Sequence, residues 1–98
     1  MIKKELVKSS GKVKLTFVLP ADSARPQVAV VGDFNGWDPN ANPLRKRNNG
    51  TMTALVTVEP GQSLQFRYCT PDGEWFNDEA ADAYAVGDHG AENCVVVV

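Results

Sequence analysis

Three runs in which apolar and polar side chains alternate constrain the fold of this chain most. They span Lys12 to Leu19, Thr51 to Val58 and Ser63 to Cys69. Alternation with a period of two is the pattern of a β-strand that buries one face. Turn-forming Asn-Gly and Pro-Gly dipeptides separate the runs, as is typical between antiparallel strands. The sequence therefore predicts an all-β fold, an immunoglobulin-like antiparallel β-sandwich of about six to eight strands.

A loop between two constrained dipeptides holds the first of the two tryptophans. The β-branched and apolar run Val28 to Val31 predicts a strand buried on both faces, and this run breaks at Gly32. The Asn-Gly dipeptide before Trp37 favours a turn, and the proline after Asp38 favours an extended backbone at that residue. Trp37 is therefore held at a turn, where its indole could face outward or fold back over the edge of the sandwich. The residues alone leave both orientations open.

Strand parity places further polar and aromatic side chains. In the third alternating run, Arg67 and Cys69 point away from the core, so Arg67 is predicted to stand on an exposed sheet face. In the short strand that holds Trp75 and Phe76, neighbouring side chains point to opposite sides. One of these two rings is therefore buried and the other exposed, and parity does not decide which.

The remaining segments are predicted from their composition. Residues 1–11 are predicted to form a flexible N-terminal arm, followed by a single β-sandwich domain over residues 12–98. The basic run Arg45 to Arg47 is predicted to be a solvated loop, and Asn77 to Gly90 an irregular loop, because no apolar stripe supports a helix there. Glu92 to Val98 ends in four valines. This composition predicts a last strand that neighbours must cover, since an exposed edge of this kind would aggregate.

Composition narrows the class of partner. The chain has 98 residues and a formal net charge of −2, whereas nucleic-acid binding draws on clustered Lys and Arg, so no nucleic-acid partner is expected. No apolar run approaches the ~20 residues of a membrane helix, and the basic N-terminus lacks the apolar segment of a secretion signal. The sequence thus predicts a cytoplasmic protein without a membrane partner. Cys69 and Cys94 are too few for a disulfide framework and are predicted to be free thiols.

Side chains suited to catalysis are scarce. The single histidine, His89, falls in a predicted loop, with no Ser/His/Asp, Cys/His or zinc-binding arrangement around it. Asp33 and Asp38 flank the Trp37 loop and could act as the carboxylate pair of a glycoside hydrolase. Initiating turns is the commoner use of Asp at such positions. The sequence therefore predicts no enzyme, no cofactor and no metal site.

A binding surface fits the residues better. A sugar ring presents a flat patch of C–H bonds ringed by hydroxyl groups, so a sugar-binding face needs exposed aromatic rings and a few planar donors. Trp37, Trp75, Arg67 and Asn93 supply these residue types. They are the candidate carbohydrate-binding residues.

Two segments around the tryptophans resemble one known family. GDFNGW, which ends at Trp37, resembles the GSFNNW-type loop of the glycogen-binding module in the β subunit of AMP-activated protein kinase. Related loops occur in the N-terminal domains of isoamylases and glucan branching enzymes. QFRYCTPDGEW is similar to the family's QYKFFVDGQW. This similarity places Arg67 where the family has a sugar-binding Lys and Trp75 where it has its second stacking Trp.

A third segment, near the C-terminus, extends the resemblance. HGAENCVV resembles the family's LGTVNNII, which places Asn93 at a sugar-contacting Asn. His89 and Ala91 depart from the pattern, because the family has there a Leu that inserts into the glucan and a Thr beside it. The chain also resembles small bacterial proteins that consist of this domain alone, the isoamylase early-set domains.

The resemblance implies a function. It is the non-catalytic binding of α-1,4-linked glucan, glycogen-like or starch-like, by stacking on Trp37 and Trp75 with hydrogen bonds from Arg67 and Asn93. The alternative is an interaction module that docks a protein partner such as a glucan-active enzyme or a kinase, since Trp and Arg are also typical of protein interfaces.

Overall fold

The computed structural model describes residues 1–87 and 90–98, and within these ranges it contains nine β-strands and no helix. No helix in the described ranges could therefore cross a membrane. The strands are β1 (Ile2–Val7), β2 (Lys12–Pro20), β3 (Ala29–Gly32), β4 (Arg45–Lys46), β5 (Thr51–Val58), β6 (Ser63–Cys69), β7 (Trp75–Phe76), β8 (Ala83–Val86) and β9 (Glu92–Val97).

The strands form two antiparallel sheets. The four-stranded sheet has the order β1-β2-β5-β4, and the five-stranded sheet has the order β3-β6-β9-β8 with β7 paired to the end of β6. The turn after β5 carries the chain from the first sheet to the second, so consecutive strands β5 and β6 do not pair with each other. The predicted immunoglobulin-like sandwich is confirmed.

The alternating runs bury one face each, as their period predicts. Leu15 and Phe17 of β2 and Phe66 and Tyr68 of β6 are fully buried between the sheets. The rings of Phe17 and Phe66 meet edge to face with centroids 5.1 Å apart, a geometry that adds about 0.5–1.5 kcal/mol to the free energy gained from burial. All four residues of β3 are buried, so its prediction as a strand covered on both faces is also confirmed.

The N-terminal segment corrects one prediction. Residues 1–11 do not form a flexible arm, because β1 pairs with β2 along its whole length, from Ile2 opposite Phe17 to Val7 opposite Lys12. Lys4 pairs with Leu15 of β2, at a position where an apolar residue would have continued the pattern of Ile2 and Leu6, and this lysine hid the strand pattern. The ammonium of Lys4 forms an ion pair with Asp82, with 2.6 Å between Nζ and Oδ2, and both side chains stay partly exposed, so the charge stays at the surface. The sandwich therefore begins at β1.

Two segments predicted to be loops contain short strands. Over Asn77 to Gly90 the prediction of an irregular loop is wrong at Ala83–Val86, because β8 pairs there with β9. The basic run also contains β4, which pairs with β5, although its side chains are exposed as predicted. The last strand, β9, lies between β6 and β8, so the expectation that neighbours cover it is confirmed. His89 lies outside the described residues.

Both cysteines are free and buried, which confirms the prediction of free thiols. Cys94 points into the core. Cys69 lies on the outer face of its sheet, as parity predicts, yet it is only 3% exposed. It is buried because it forms a small second cluster with Ala29 and Val31, against which Trp37 packs.

Asp78 is a buried carboxylate that ties the loop after β7 to the core, and it is 3% exposed. Its Oδ2 accepts hydrogen bonds from the Tyr68 hydroxyl at 2.7 Å and from the Met1 ammonium at 3.0 Å, and its Oδ1 accepts one from the Ala80 N–H at 2.8 Å. Burial alone would raise the pKa of this carboxyl group, but the hydrogen bonds outweigh burial and lower the pKa below its ordinary value.

Replacing Asp78 with alanine should lower the free energy of unfolding by about 1–3 kcal/mol, because the buried Tyr68 hydroxyl loses its acceptor. The pKa of Asp78 is lower in the folded state than its ordinary value of 3.8. The stabilisation from the ionised form is therefore present above that value and is lost as the pH falls through the folded pKa. Urea unfolding at about pH 7 and about pH 3 should show the difference between wild type and variant shrinking in acid. Glu79→Ala, at the exposed neighbouring carboxylate, is the control, and an equal loss in both variants would contradict the assignment.

Candidate functional site

A groove of 540 Å³ opens on the outer face of the five-stranded sheet, beside the loop that follows β3. Its volume falls in the range of roughly 300–1,000 Å³ that is typical of small-ligand sites. The structure brings all four candidate residues to this groove: Trp37, Arg67, Trp75 and Asn93. The other residues that line it are Asp33, Gln65, Val86, Gly87 and Ala91.

The backbone of the β3–β4 loop fixes the position of Trp37. Gly36 and Trp37 both adopt the left-handed conformation, with φ of 67° and 60°, which is uncommon for a residue as large as Trp. Hydrogen bonds hold this conformation. The Trp37 N–H donates to the Gly32 carbonyl at 3.0 Å, and the Asn35 side chain accepts from the Gly32 N–H and donates to the Val30 carbonyl, each at 3.0 Å.

The indole of Trp37 combines the two orientations that the sequence leaves open. One side packs against Ala29, Val31 and Cys69 of the sheet surface. The indole N–H donates to Asp33 Oδ1 at 3.2 Å, and the rest of the ring lines the groove. Trp37 is therefore both a cover for the outer face of the sheet and a wall of the groove.

Trp75 is held by its neighbours in the short strand β7. It pairs with Cys69 across the strands and points outward, with 43% of its surface exposed, whereas Phe76 packs against the core. Arg25 lies over the Phe76 ring, 3.9 Å from the ring centroid, and forms an ion pair with Glu74. These contacts anchor the residues on both sides of Trp75, so the exposed indole stands on a fixed strand.

The two indoles form one aromatic wall. Their ring centroids are 6.5 Å apart and their planes differ by 22°. Nearly parallel rings at this spacing form a stacked pair, and both rings line the groove.

Arg67 stands beside this wall on the exposed sheet face, as parity predicts. Its guanidinium carbon lies 5.8 Å from the Trp75 ring centroid. Its Nε–H donates to Asn77 Oδ1 at 2.9 Å, and the Asn77 amide in turn donates to the Glu92 carbonyl at 2.8 Å. This chain of hydrogen bonds orients the guanidinium group. Within the described residues its terminal N–H groups have no partner, so they are available to a ligand.

Asn93 is positioned by residues that the sequence did not single out. Its amide nitrogen donates to Gln65 Oε1 at 3.0 Å. Gly87 leaves space for the amide, because a Cβ atom there would lie 2.5 Å from Asn93 Nδ2. Parity places Gln65 on the same face as Arg67, so this residue could have been predicted. Gly87 could not, since its neighbour in space depends on the unpredicted strand β8.

Asp33 supports the site instead of pairing with Asp38. Its Oδ1 accepts from the Trp37 indole, and its Oδ2 accepts from the Gln65 backbone N–H at 2.8 Å. Asp38 does not line the groove, and its Oδ1 accepts from the Asn40 N–H at 2.9 Å. The two carboxylates that could have formed a hydrolytic pair are thus both used to shape the loop. Over residues 1–87 and 90–98, no three His, Cys, Asp or Glu side chains are grouped so that they could hold a metal ion.

Gly87→Ala should disturb the groove without disturbing the core. The new methyl group would displace the Asn93 amide, so binding of a ligand that uses this amide should weaken about 3- to 10-fold, as expected for one lost hydrogen bond. Calorimetric titration with maltoheptaose would measure the loss of affinity, and urea unfolding would show whether the free energy of unfolding is unchanged. Asn93→Ala should give the same loss, and the double variant should add little to it. Full additivity of the two losses would contradict a shared cause.

Comparison with known proteins identifies the family. The family model for carbohydrate-binding module 48, described as the isoamylase N-terminal domain, matches residues 7–85. The chain belongs to this family. The carbohydrate-binding module 48 match starts at the last residue of β1 and ends within β8, so it includes both tryptophans and Arg67. It confirms the resemblance of the two segments around the tryptophans, and it ends before the segment that holds Asn93.

Relatives of this carbohydrate-binding module 48 chain include larger enzymes. A 1,4-alpha-glucan branching enzyme, GlgB 2 of Rhizobium etli, is 33% identical over 84 residues, which is 84% of this chain and 11% of that protein. GlgB 2 of Xanthomonas campestris pv. campestris is 46% identical over 48 residues, or 48% of this chain and 7% of that protein. GlgB of Paramagnetospirillum magneticum is 38% identical over 58 residues, or 59% of this chain and 8% of that protein. The chain thus spans only about a tenth of the length of these relatives.

Proposed function

We propose that this chain binds α-1,4-linked glucan, glycogen-like or starch-like, and that it catalyses no reaction on it. The observation that carries the proposal is the convergence of two nearly parallel indoles, a guanidinium group and an amide on one groove. The relatives are named as 1,4-alpha-glucan branching enzymes, which supports this class of polymer as the ligand.

The chemistry of the groove suits a neutral sugar chain. The indoles of Trp37 and Trp75 offer an apolar wall for the C–H faces of glucose rings. Arg67 and Asn93 are oriented in advance by Asn77 and Gln65, so little side-chain freedom is lost when they donate hydrogen bonds to hydroxyl groups.

The proposal that the protein is not catalytic rests on the carboxylate of Asp33 and its hydrogen bonds. Glycoside hydrolysis requires two carboxyl groups roughly 5–10 Å apart, one of them with a raised pKa. Of the described residues that line the groove, Asp33 alone carries a carboxylate, and this group already accepts hydrogen bonds from Trp37 and Gln65. We therefore expect incubation with soluble starch to release no new reducing ends.

Native electrophoresis with glycogen cast into the gel tests the proposal. We expect the protein to migrate more slowly than in a plain gel, relative to an unrelated protein of similar charge, and free maltoheptaose to restore its mobility. Affinity measured by calorimetry should change little between about 50 and about 200 mM salt. A polyanion partner would instead lose affinity by orders of magnitude over that range.

Two results would contradict the proposal. One is unchanged mobility in glycogen together with no heat on addition of maltoheptaose at millimolar concentration. That result would favour the docking of a protein partner on the same aromatic wall. The other is the release of reducing ends by the wild type that is lost in Asp33→Asn, which would make the protein an enzyme.

A further inference from the structure

A second groove lies on the far side of Trp75. It has a volume of 660 Å³, so it is at least as large as the groove already described, and the Trp75 indole lines both. Its floor includes Ala29 and Cys69 of the outer sheet surface. Its walls come from three connections between strands, through Gln27, Pro39, Asn40, Thr70 and Pro71.

The lining of the second groove is uncharged. In the first groove Arg67 and Asp33 carry charges, but the described residues of the second groove are prolines, amides, a threonine and small or apolar side chains. The thiol of Cys69 has an ordinary pKa of 9.0, and burial raises this pKa further, so it adds no charge at pH 7. Proline rings offer rigid C–H surfaces, and the amides of Gln27 and Asn40 offer donors and acceptors. This combination complements a neutral chain of hydroxyl groups, and it offers no charge to a phosphorylated or strongly charged partner.

The walls are formed before any ligand arrives. The turn after β6 is closed by backbone hydrogen bonds from the Thr70 N–H to the Glu74 carbonyl at 2.9 Å and from the Gly73 N–H to the Thr70 carbonyl at 3.1 Å. On the opposite side, the Leu44 N–H donates to the Val28 carbonyl at 2.8 Å. The side chains of Gln27 and Asn40 are exposed and, within the described part of the chain, have no hydrogen-bond partner. Their donors and acceptors are therefore available to a ligand, whereas the backbone that carries them is already held by the hydrogen bonds above.

We propose that the second groove holds the continuation of the same glucan chain beyond Trp75, so that the protein distinguishes long glucan chains from short ones. The inference rests on the proposed function of the first groove. The two grooves are continuous, because the exposed Trp75 indole lines both. A chain that lies along the aromatic wall of the first groove therefore enters the second when it passes this ring. A short oligosaccharide that is held by Trp37, Arg67 and Asn93 does not reach Gln27 and Asn40.

Comparison of maltotriose with maltoheptaose tests this inference. We expect calorimetric titration of the wild type to show tighter binding of maltoheptaose. The double variant Gln27→Ala/Asn40→Ala should weaken maltoheptaose binding about 3- to 10-fold, as expected for one or two hydrogen bonds, and should leave maltotriose binding unchanged. Asn48→Ala, an exposed amide on the β4–β5 turn, is the matched control and should change neither affinity. In NMR spectra, the backbone amide resonance of Gly73, which lines the second groove, should shift on addition of maltoheptaose and should not shift on addition of maltotriose.

The outcomes separate this inference from the proposed function. If wild type binds neither sugar, the proposed function fails and this inference fails with it. If both sugars bind with equal affinity, or if the double variant binds maltoheptaose as tightly as wild type does, only the second groove is rejected. Equal weakening of both sugars in the double variant would also reject it, since the variant would then act on the first groove or on the fold.

Discussion

Replacing Trp75 with alanine should weaken glucan binding at least about 30-fold and leave most of the stability of the fold. An aromatic residue at the centre of a binding surface typically contributes about 2 kcal/mol or more to binding, which corresponds to this loss of affinity. Truncation of a buried Trp would lower the free energy of unfolding by ~3–5 kcal/mol, but the Trp75 ring is 43% exposed and points away from the core. Its loss should therefore destabilise the fold by much less.

Calorimetric titration with maltoheptaose, alongside urea unfolding of the same samples, measures both quantities. Phe76→Ala is the control on the same strand. Because the Phe76 ring packs against the core, its loss should lower the free energy of unfolding more than Trp75→Ala does. A Trp75→Ala variant that binds maltoheptaose as wild type does would remove this residue from the binding site.

Replacing Trp37 with alanine should lower both the affinity for glucan and the free energy of unfolding. The ring lines the groove and also packs against the apolar cluster of Ala29, Val31 and Cys69, so truncation would expose that cluster to water. We expect glucan affinity to fall at least about 30-fold. We expect the free energy of unfolding to fall by about 2–4 kcal/mol, close to the range for buried aromatic residues.

Trp37→Phe separates the two roles. Phenylalanine keeps an aromatic ring over the cluster but loses the indole hydrogen bond to Asp33, so stability should be largely retained and affinity should lie between wild type and Trp37→Ala. Loss of binding without any loss of stability in Trp37→Ala would contradict the packing seen here. Equal stability of the alanine and phenylalanine variants would contradict it as well.

The sequence predicted the parts of this fold that follow from local pattern. Strands such as β2, β5 and β6 alternate clearly, so their inner faces could be assigned from parity alone. Strand β1 carries Lys4 opposite the buried Leu15, and the partner that explains this lysine, Asp82, lies just before β8 and far away in the chain. Strand β8 is four residues long and mostly alanine and valine, without a turn signal close to its start. It forms because β9 offers an unpaired side for hydrogen bonding. This pairing is a contact between strands, which the local sequence of β8 does not reveal.

The candidate site was predictable in its residue types and only partly in its geometry. Parity placed Arg67 outside, residue type made Trp37, Trp75 and Asn93 candidates, and the resemblance gave them their roles; the structure brings all four to one groove. The double role of Trp37 depends on a cluster of small residues in two strands, which no local pattern reveals. The positioning contacts of Asn93 likewise depend on residues that are distant in the chain.

The most direct test of the central claim uses the two tryptophans themselves. The chain contains two Trp residues, so an ¹⁵N-labelled sample gives two indole N–H resonances in an NMR spectrum, which Trp37→Phe and Trp75→Phe assign. On titration with maltoheptaose, the proposed glucan-binding groove predicts that both indole resonances move along one saturable curve, together with the Asn93 side-chain amide. If both indole resonances stay in place at millimolar sugar, or if saturable shifts occur only on the outer face of the four-stranded sheet, glucan binding at the Trp37–Trp75 wall is contradicted.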